Sequence, residues 1–197
     1  MENEKTISKK AQQILSEIEV LSLAVDSRAG NRGLPIIGNK KAKVLIDVIK
    51  KTKPLKILEI GTLVGYSSIL MKIYSKEKAR IISCEINPLF MKVARTNIKR
   101  AGFEKKITIK LGDAKKTIKS LKGKFDMLFI DAIKTEYLDY LLLAERILSS
   151  NAIIVADNVG NAAKEMEDYL TYVRNSGKYK SKTYDFGFDA VEVSIRK

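Results

Sequence analysis

Histidine is absent from the 197 residues, and cysteine occurs once, as Cys84. Without histidine the chain cannot use a histidine-containing catalytic triad, a histidine general base or a histidine-ligated zinc ion. A lone cysteine also excludes an internal disulfide and a cysteine-cluster metal site. Acid–base chemistry must therefore come from Lys, Asp, Glu or Tyr side chains, and any metal ion must be bound through oxygen atoms.

The sequence also lacks a long apolar run and a leader-like start. Its apolar runs are much too short to span a bilayer, and Met1 to Lys5 lack the basic-then-apolar pattern of a signal peptide. We therefore expect a cytoplasmic protein with no membrane partner. Apolar residues still make up 45% of the chain, which argues against a disordered protein. The length suits one domain over residues 1–197 with a real hydrophobic core.

Acidic residues are fewer than basic ones. The chain has 37 Lys and Arg and 23 Asp and Glu, which gives a net charge of +14. Such an excess is typical of nucleic-acid-binding proteins. However, the lysines are spread along the whole chain, and no aromatic-rich RNA-binding signature accompanies them. A lysine-rich surface that keeps the protein soluble is the favoured explanation, and an RNA partner stays open as the alternative.

Segments of strand and helix character alternate along the chain. Apolar residues at spacings of three and four predict an amphipathic helix within residues 1–27, which would pack on the domain or on a second subunit. Its apolar residues are Ile7, Ala11, Ile14, Ile18, Leu21 and Val25. A loop containing glycine and proline follows over 27–35. The predicted strands are 56–60, 80–85, 107–111, 125–131, 152–156, 179–184 and 190–195. The predicted helices are 40–51, 66–74, 88–101, 114–121, 136–148 and 162–175. This alternation predicts βαβ units and a parallel sheet, with the last two strands as an antiparallel pair.

Most of the predicted strands end next to an acidic side chain. These acids are Glu59, Glu85, Asp131 and Asp157 at the ends of the first, second, fourth and fifth strands, and Asp113 just after the third. In a parallel sheet the carboxyl ends of the strands share one edge, where ligands bind. Each acid alone could be a helix cap or a solvated loop residue. Five at one edge favour a functional site, because a partly buried carboxylate needs a partner.

A glycine-containing turn, Gly61 to Gly65, joins the first strand to the helix that begins at Tyr66. Glycine allows positive φ angles and a close approach of the backbone to a ligand, and a helix N-terminus presents unpaired N–H groups. A nucleotide-like cofactor is the expected occupant. Glu85 lies at the end of the next strand, where an acid binds ribose hydroxyls. The dehydrogenase loop is G-x-G-x-x-G, whereas this one is G-x-x-x-G preceded by Glu59, which favours S-adenosyl-L-methionine over NAD.

Five blocks of sequence resemble the motifs of the cation-dependent O-methyltransferases, which include the catechol and caffeoyl-CoA O-methyltransferases. The blocks are Leu58–Ser67, Cys84–Pro88, Gly112–Ala114, Phe129–Lys134 followed by Tyr137, and Ala156–Val159. Their order and spacing agree with the family over residues 34–197, whereas residues 1–33 match weakly. Ile133 stands where the family has a second acidic residue, a departure that the catechol enzymes share.

The resemblance implies an α/β, Rossmann-like class I methyltransferase fold. Its sheet is mostly parallel and seven-stranded, with an antiparallel terminal strand and helices on both faces. The residues implied to bind S-adenosyl-L-methionine are Ile37, Glu59, Gly61, Thr62, Gly65, Ser67, Glu85, Asp113, Ala114 and Asp131. By this resemblance, the residues around the glycine turn would hold the methionine part of the cofactor. Glu85 would bind the ribose, and Asp113 and Ala114 would lie beside the adenine.

The resemblance also implies a divalent cation bound by Asp131, Asp157 and Asn158. Two carboxylates and an amide oxygen form a hard, all-oxygen site, for which Mg²⁺ is expected and Mn²⁺ or Ca²⁺ are alternatives. Lys134 would take the proton from the acceptor hydroxyl, with Asp131 beside it as the second catalytic residue.

The leading hypothesis is therefore a metal-dependent O-methyltransferase that acts on a small aromatic acceptor with vicinal hydroxyls. The same chemistry on 5-hydroxyuridine in tRNA is the first alternative, and the net charge of +14 would suit it. A non-catalytic cofactor-binding or dimerisation protein is the second. The family leads us to expect a homodimer, with residues 1–33 as an acceptor-binding or dimer-forming element.

Overall fold

A computed structural model describes residues 4–23 and 33–197 of the chain, with side chains described from residue 8 onward. Its central feature is a seven-stranded sheet. The strands are β1 (Lys56–Ile60), β2 (Arg80–Glu85), β3 (Ile107–Leu111), β4 (Phe125–Ile130), β5 (Leu148–Ala156), β6 (Tyr179–Asp185) and β7 (Ala190–Arg196). Hydrogen-bonded neighbours follow the order β3-β2-β1-β4-β5-β7-β6. Strands β1 to β5 pair in parallel, as the alternation of strands and helices predicts.

Helices cover both faces of this sheet. Within the described ranges the α-helices are α1 (Glu4–Leu23), α2 (Gly38–Thr52), α3 (Tyr66–Tyr74), α4 (Pro88–Arg100), α5 (Ala114–Ser120), α6 (Tyr137–Ala144) and α7 (Glu167–Asn175). Successive strand residues point to opposite faces. Ile57 accordingly packs in a core with α1 to α4, and Leu58 packs in a second core with α5 to α7. The predicted mostly parallel sheet with helices on both faces is confirmed.

The last two strands form the predicted antiparallel pair. Strand β7 is inserted between β5 and β6 and runs antiparallel to both of them. Strand β6 is left at the edge of the sheet, where Lys180 and Lys182 are exposed. Lysines on an edge strand oppose pairing with another chain.

Helix α1 follows its predicted amphipathic pattern over part of its length. Three residues of its apolar face are buried against the domain, namely Ala11, Ile14 and Ile18. Leu21, in the last turn, is 61% exposed. The side chains of Ile7 and Val25 lie outside the described residues. Glu19 of this helix accepts a hydrogen bond from the Tyr66 hydroxyl, which ties α1 to the start of α3.

The segment 136–148, predicted as one helix, is interrupted at both ends. Lys134–Glu136 and Glu145–Ile147 form 3-10 turns on either side of α6. Leu148 already belongs to β5, where it pairs with Phe125. Pairing within the sheet therefore overrides the helical pattern of the sequence at this point. None of the helices in the described ranges is both long and apolar enough to cross a membrane.

Candidate active site

A cavity of about 1000 Å³ lies at the carboxyl ends of the central strands. The predicted site residues that line it are Ile37, Gly61, Thr62, Ser67, Glu85, Asp113, Ala114, Asp131, Lys134, Asp157 and Asn158. Glu59 and Gly65 were predicted with them but are not among the lining residues. The structure thus brings most of the predicted set to one edge of the sheet, as expected for parallel strands.

Gly61 has a packing reason to be glycine. Its φ angle is +98°, and a Cβ atom at this position would lie only 2.0 Å from the carbonyl oxygen of Asp131. The glycine therefore lets β1 and the end of β4 approach each other closely. Gly65 has a φ of +87° and immediately precedes α3, with Ala94 of α4 at its back. Both residues shape the turn from behind, and Gly61 also contributes to the cavity wall.

Glu59 lies behind the turn and is fully buried. Its two carboxylate oxygens accept hydrogen bonds from the hydroxyls of Ser67 and Ser68. Burial raises the pKa of Glu59 to about 7, although hydrogen bonds from Ser67, Ser68 and Ser83 oppose this effect. Ser67 lines the cavity and Glu59 does not, so that Glu59 orients the Ser67 hydroxyl from behind the cavity wall.

Glu85 lines the cavity one strand away from the turn. Its Oε2 accepts the N–H of Leu63 at 2.7 Å, and its Oε1 accepts the N–H of Asn87 at 2.8 Å. An ionised carboxylate has about four acceptor positions, so each oxygen can still accept a hydrogen bond from a ligand hydroxyl. Leu63 itself has a φ of +48°, and its bond to Glu85 holds this unfavourable backbone conformation in place.

Asp113 caps the next helix. Its Oδ1 accepts the N–H of Lys115 at 2.7 Å, which satisfies a free donor at the start of α5. Ala114, the first residue of that helix, lines the cavity beside it.

Lys134 is the centre of a polar cluster on the cavity wall. Its Nζ donates to Asp131 Oδ1 at 2.9 Å, to Asn158 Oδ1 at 2.6 Å and to the Tyr137 hydroxyl oxygen at 3.0 Å. The Tyr137 hydroxyl donates in turn to the backbone carbonyl of Asp157 at 3.2 Å. Asn158 has a φ of +61°, a conformation that asparagine tolerates better than most residues. One ammonium group thus contacts two of the three predicted cation ligands.

Asp157, the third predicted ligand, is bound by a different lysine. Lys41 Nζ lies 2.7 Å from Asp157 Oδ1 and 2.6 Å from Asp189 Oδ2, and all three side chains are buried. Burial and the charge of Asp131 raise the pKa of Asp157 to about 6, while Lys41 opposes this effect. Burial alone would lower the pKa of Lys41, but the two carboxylates raise it. Lys41 therefore stays charged at neutral pH.

A model of the O-methyltransferase family matches residues 7–174, which include every residue that lines this cavity. The chain belongs to the O-methyltransferase family. It is 36% identical to catechol O-methyltransferase B of Danio rerio over 152 residues, which cover 74% of this chain and 57% of that protein. It is 30% identical to the catechol O-methyltransferase of Mus musculus over 164 residues, which cover 80% of this chain and 61% of that protein. The chain therefore spans less than two thirds of the length of these relatives.

The fold is shared with a solved structure, that of the O-methyltransferase from Bacillus cereus in complex with SAH. The TM-score is 0.77 at 19% identity, and the match covers 98% of this chain and 91% of that one. At this identity the likeness supports the fold alone.

The donor set of this site fits a hard divalent cation in its chemistry. In the described part of the chain no three His, Cys, Asp or Glu side chains form a cluster that could hold a metal ion. The predicted set has two carboxylates, and its third member is the amide of Asn158. One oxygen of Asp131 and one of Asn158 already contact the same cationic atom, Lys134 Nζ. The charge of Asp131 also raises the pKa of Asp157. Oxygen donors of this type suit Mg²⁺, Mn²⁺ or Ca²⁺, and the cation itself stays a prediction.

Two residues behind the site, Lys41 and Asp189, were missed from the sequence. Lys41 is one of many lysines, but it lies one turn before Leu45 on the apolar face of α2, where a charge is unusual. That position is the signal that could have identified it. Asp189 offers no comparable signal, because it lies in the turn between β6 and β7 among polar and aromatic neighbours.

Proposed function

We propose that this protein is an S-adenosylmethionine-dependent O-methyltransferase that acts on a small aromatic acceptor with vicinal hydroxyls. The observation that carries the proposal is the meeting of Asp131, Lys134 and Asn158 at the wall of the cavity that also contains the glycine turn. Membership of the family supports methyl transfer to oxygen. The names of the zebrafish and mouse relatives support a catechol-type acceptor, and the SAH in the Bacillus cereus protein supports the cofactor.

The cofactor would occupy the cavity with its methionine end at the glycine turn. Gly61, Thr62 and Ser67 line that part of the wall, and Glu59 orients the Ser67 hydroxyl from behind. Glu85 accepts hydrogen bonds from the ribose hydroxyls with the lone pairs that its two backbone partners leave free. The adenine would lie against Ala114 at the start of α5, and Ile37 closes the cavity from the side of α2.

The chemistry needs one proton transfer and one displacement. Lys134 Nζ first releases a proton to solvent and then takes the proton of the acceptor hydroxyl. The hydroxyl oxygen forms a bond to the sulfonium methyl group as the S–CH₃ bond breaks and SAH leaves. Lys134 Nζ is held in one place by its contacts with Asp131, Asn158 and Tyr137. Most of the catalysis therefore comes from the positioning of the base and the acceptor. Asp131, Asp157 and Asn158 would hold the divalent cation, which favours the ionised form of the acceptor hydroxyl when it is bound.

The test measures methyl transfer from labelled S-adenosylmethionine to a panel of catechol-type acceptors. We expect Lys134→Met to lower kcat by about 10²–10⁴-fold, the usual contribution of a general base, without weakening SAH binding. Lys122→Met, at an exposed lysine, is the matched control. EDTA should abolish activity and Mg²⁺ should restore it. Wild-type rates in Lys134→Met would contradict the role of the lysine, and activity that survives EDTA would contradict the role of the cation.

Three further expectations remain predictions alongside this proposal. Methylation of tRNA rests on the net charge of +14 and predicts salt-sensitive binding of tRNA, which a filter-retention assay at low salt would detect. If the protein is a homodimer, light scattering should give twice the mass of one chain. A single domain over residues 1–197 predicts one cooperative unfolding transition.

A further inference from the structure

Lys41 and Asp189, hereafter the buried pair, lie directly behind the candidate site. The Lys41 ammonium is 2.7 Å from Asp157 Oδ1 and 2.6 Å from Asp189 Oδ2, and the three side chains are 8%, 1% and 2% exposed. Neither member of the pair lines the cavity, whereas Asp157 does. The pair therefore contacts the site from the protein side and cannot touch a ligand there.

Asp189 also determines which way the amide of Asn158 points. Its Oδ2 accepts a hydrogen bond from Asn158 Nδ2 at 2.8 Å, and its Oδ1 accepts the N–H of Asn161 at 3.1 Å. An amide side chain carries its donor and its acceptor on opposite sides. Because Asp189 holds Nδ2, the Oδ1 of Asn158 faces Lys134, at 2.6 Å from its Nζ.

We propose that the buried pair positions Asp157 and Asn158 in the candidate active site. The inference deepens the proposed function and rests on it, since that function gives the oxygens of these two residues their role. Asn158 needs such support because its φ of +61° is a sparsely populated conformation that surrounding contacts must hold. Lys41 contributes a second element, because it joins the start of α2 to the end of β5 and to the turn before β7.

The test compares Lys41→Met with Lys41→Arg and with Lys43→Met, a change at an exposed lysine of the same helix. Titration with MnCl₂, followed by electron paramagnetic resonance of the free ion, measures cation binding, and calorimetry measures SAH binding. We expect Lys41→Met to weaken Mn²⁺ binding about 10–100-fold, the usual effect of losing a residue that orients a metal ligand. SAH binding should not change, and Lys41→Arg should recover most of the loss because it keeps the charge.

Wild-type affinity for Mn²⁺ in a folded Lys41→Met variant would overturn the proposal, as would an equal loss in Lys43→Met. Removing one partner of a buried ion pair is strongly destabilising, so a milder change serves as the second variant. Asp189→Asn leaves Lys41 paired with Asp157 and removes the charge that both Lys41 Nζ and Asn158 Nδ2 contact. The same weakening of Mn²⁺ binding is expected from it, and unchanged binding counts against the proposal.

The proposed function can fail separately from this inference. If the wild-type protein binds no Mn²⁺, the cation-dependent function fails, and positioning is then measured on the side-chain amide of Asn158 by nuclear magnetic resonance. Comparison with Asn158→Asp assigns its signals. Slow solvent exchange of this amide in the wild-type protein that becomes fast in Lys41→Met or Asp189→Asn supports the inference. Equal exchange in the wild-type protein and in the variants overturns it.

Discussion

The buried carboxyl of Glu59 makes the stability of this protein depend on pH in an unusual direction. Burial raises its pKa from an ordinary value of 4.5 to about 7, so that between these pH values the folded protein keeps a proton that the unfolded chain releases. Stability therefore falls as the pH rises through this window. At about 1.4 kcal/mol for each pH unit, the displacement from 4.5 to about 7 corresponds to a loss of about 3 kcal/mol.

The substitution Glu59→Gln removes this dependence, because an amide cannot ionise and keeps one oxygen as an acceptor for Ser67 or Ser68. Urea unfolding of the wild-type protein and of the variant at a series of pH values from 4 to 8 gives the difference in free energy of unfolding. We expect this difference to move in favour of the variant by about 3 kcal/mol between pH 4.5 and pH 8. Glu104→Gln, at an exposed glutamate, supplies the background change. A difference that does not vary with pH would refute the reasoning.

Two further predictions concern the packing around the site. Gly61→Ala should destabilise the protein by about 1–3 kcal/mol more than Gly187→Ala, because both glycines have positive φ angles but only a Cβ atom at Gly61 would meet the Asp131 carbonyl. Urea unfolding measures both losses of stability, and equal losses would show that the close approach is unimportant. Tyr137→Phe should lower the free energy of unfolding by about 1–2 kcal/mol, since it removes a buried hydroxyl that accepts a hydrogen bond from Lys134. Thermal unfolding measures this loss, and an unchanged melting temperature would contradict the prediction.

Much of the fold follows from local patterns in the sequence. The first three strands, from Lys56, Arg80 and Ile107, end where the sequence pattern predicts. Strands β1 and β2 are buried on both faces over most of their length, as their apolar runs indicate. The acids that follow these strands meet at one edge because parallel strands all end there. Glu85 and Asp131 were accordingly predicted at this edge from their positions at the ends of strands, and both line the cavity.

The roles of individual residues depended on contacts between distant parts of the chain. Gly61 lines the cavity, and only the structure shows that the Asp131 carbonyl lies where its Cβ atom would be. Glu59 is buried behind Ser67, a contact that its position in the sequence does not indicate, and its part in cofactor binding stays a prediction.

The amino-acid sequence by itself determined the order of strands and helices, the position of the glycine turn and the acidic edge, because periodicity and strand ends are local properties. The tertiary structure alone decided which lysine meets which carboxylate. Lys41 is 116 residues from Asp157 and 148 from Asp189 along the chain, yet their charged groups are in contact. Such a pairing is imposed by the packing of α2 against the ends of β5 and β7, where each buried charge needs a partner.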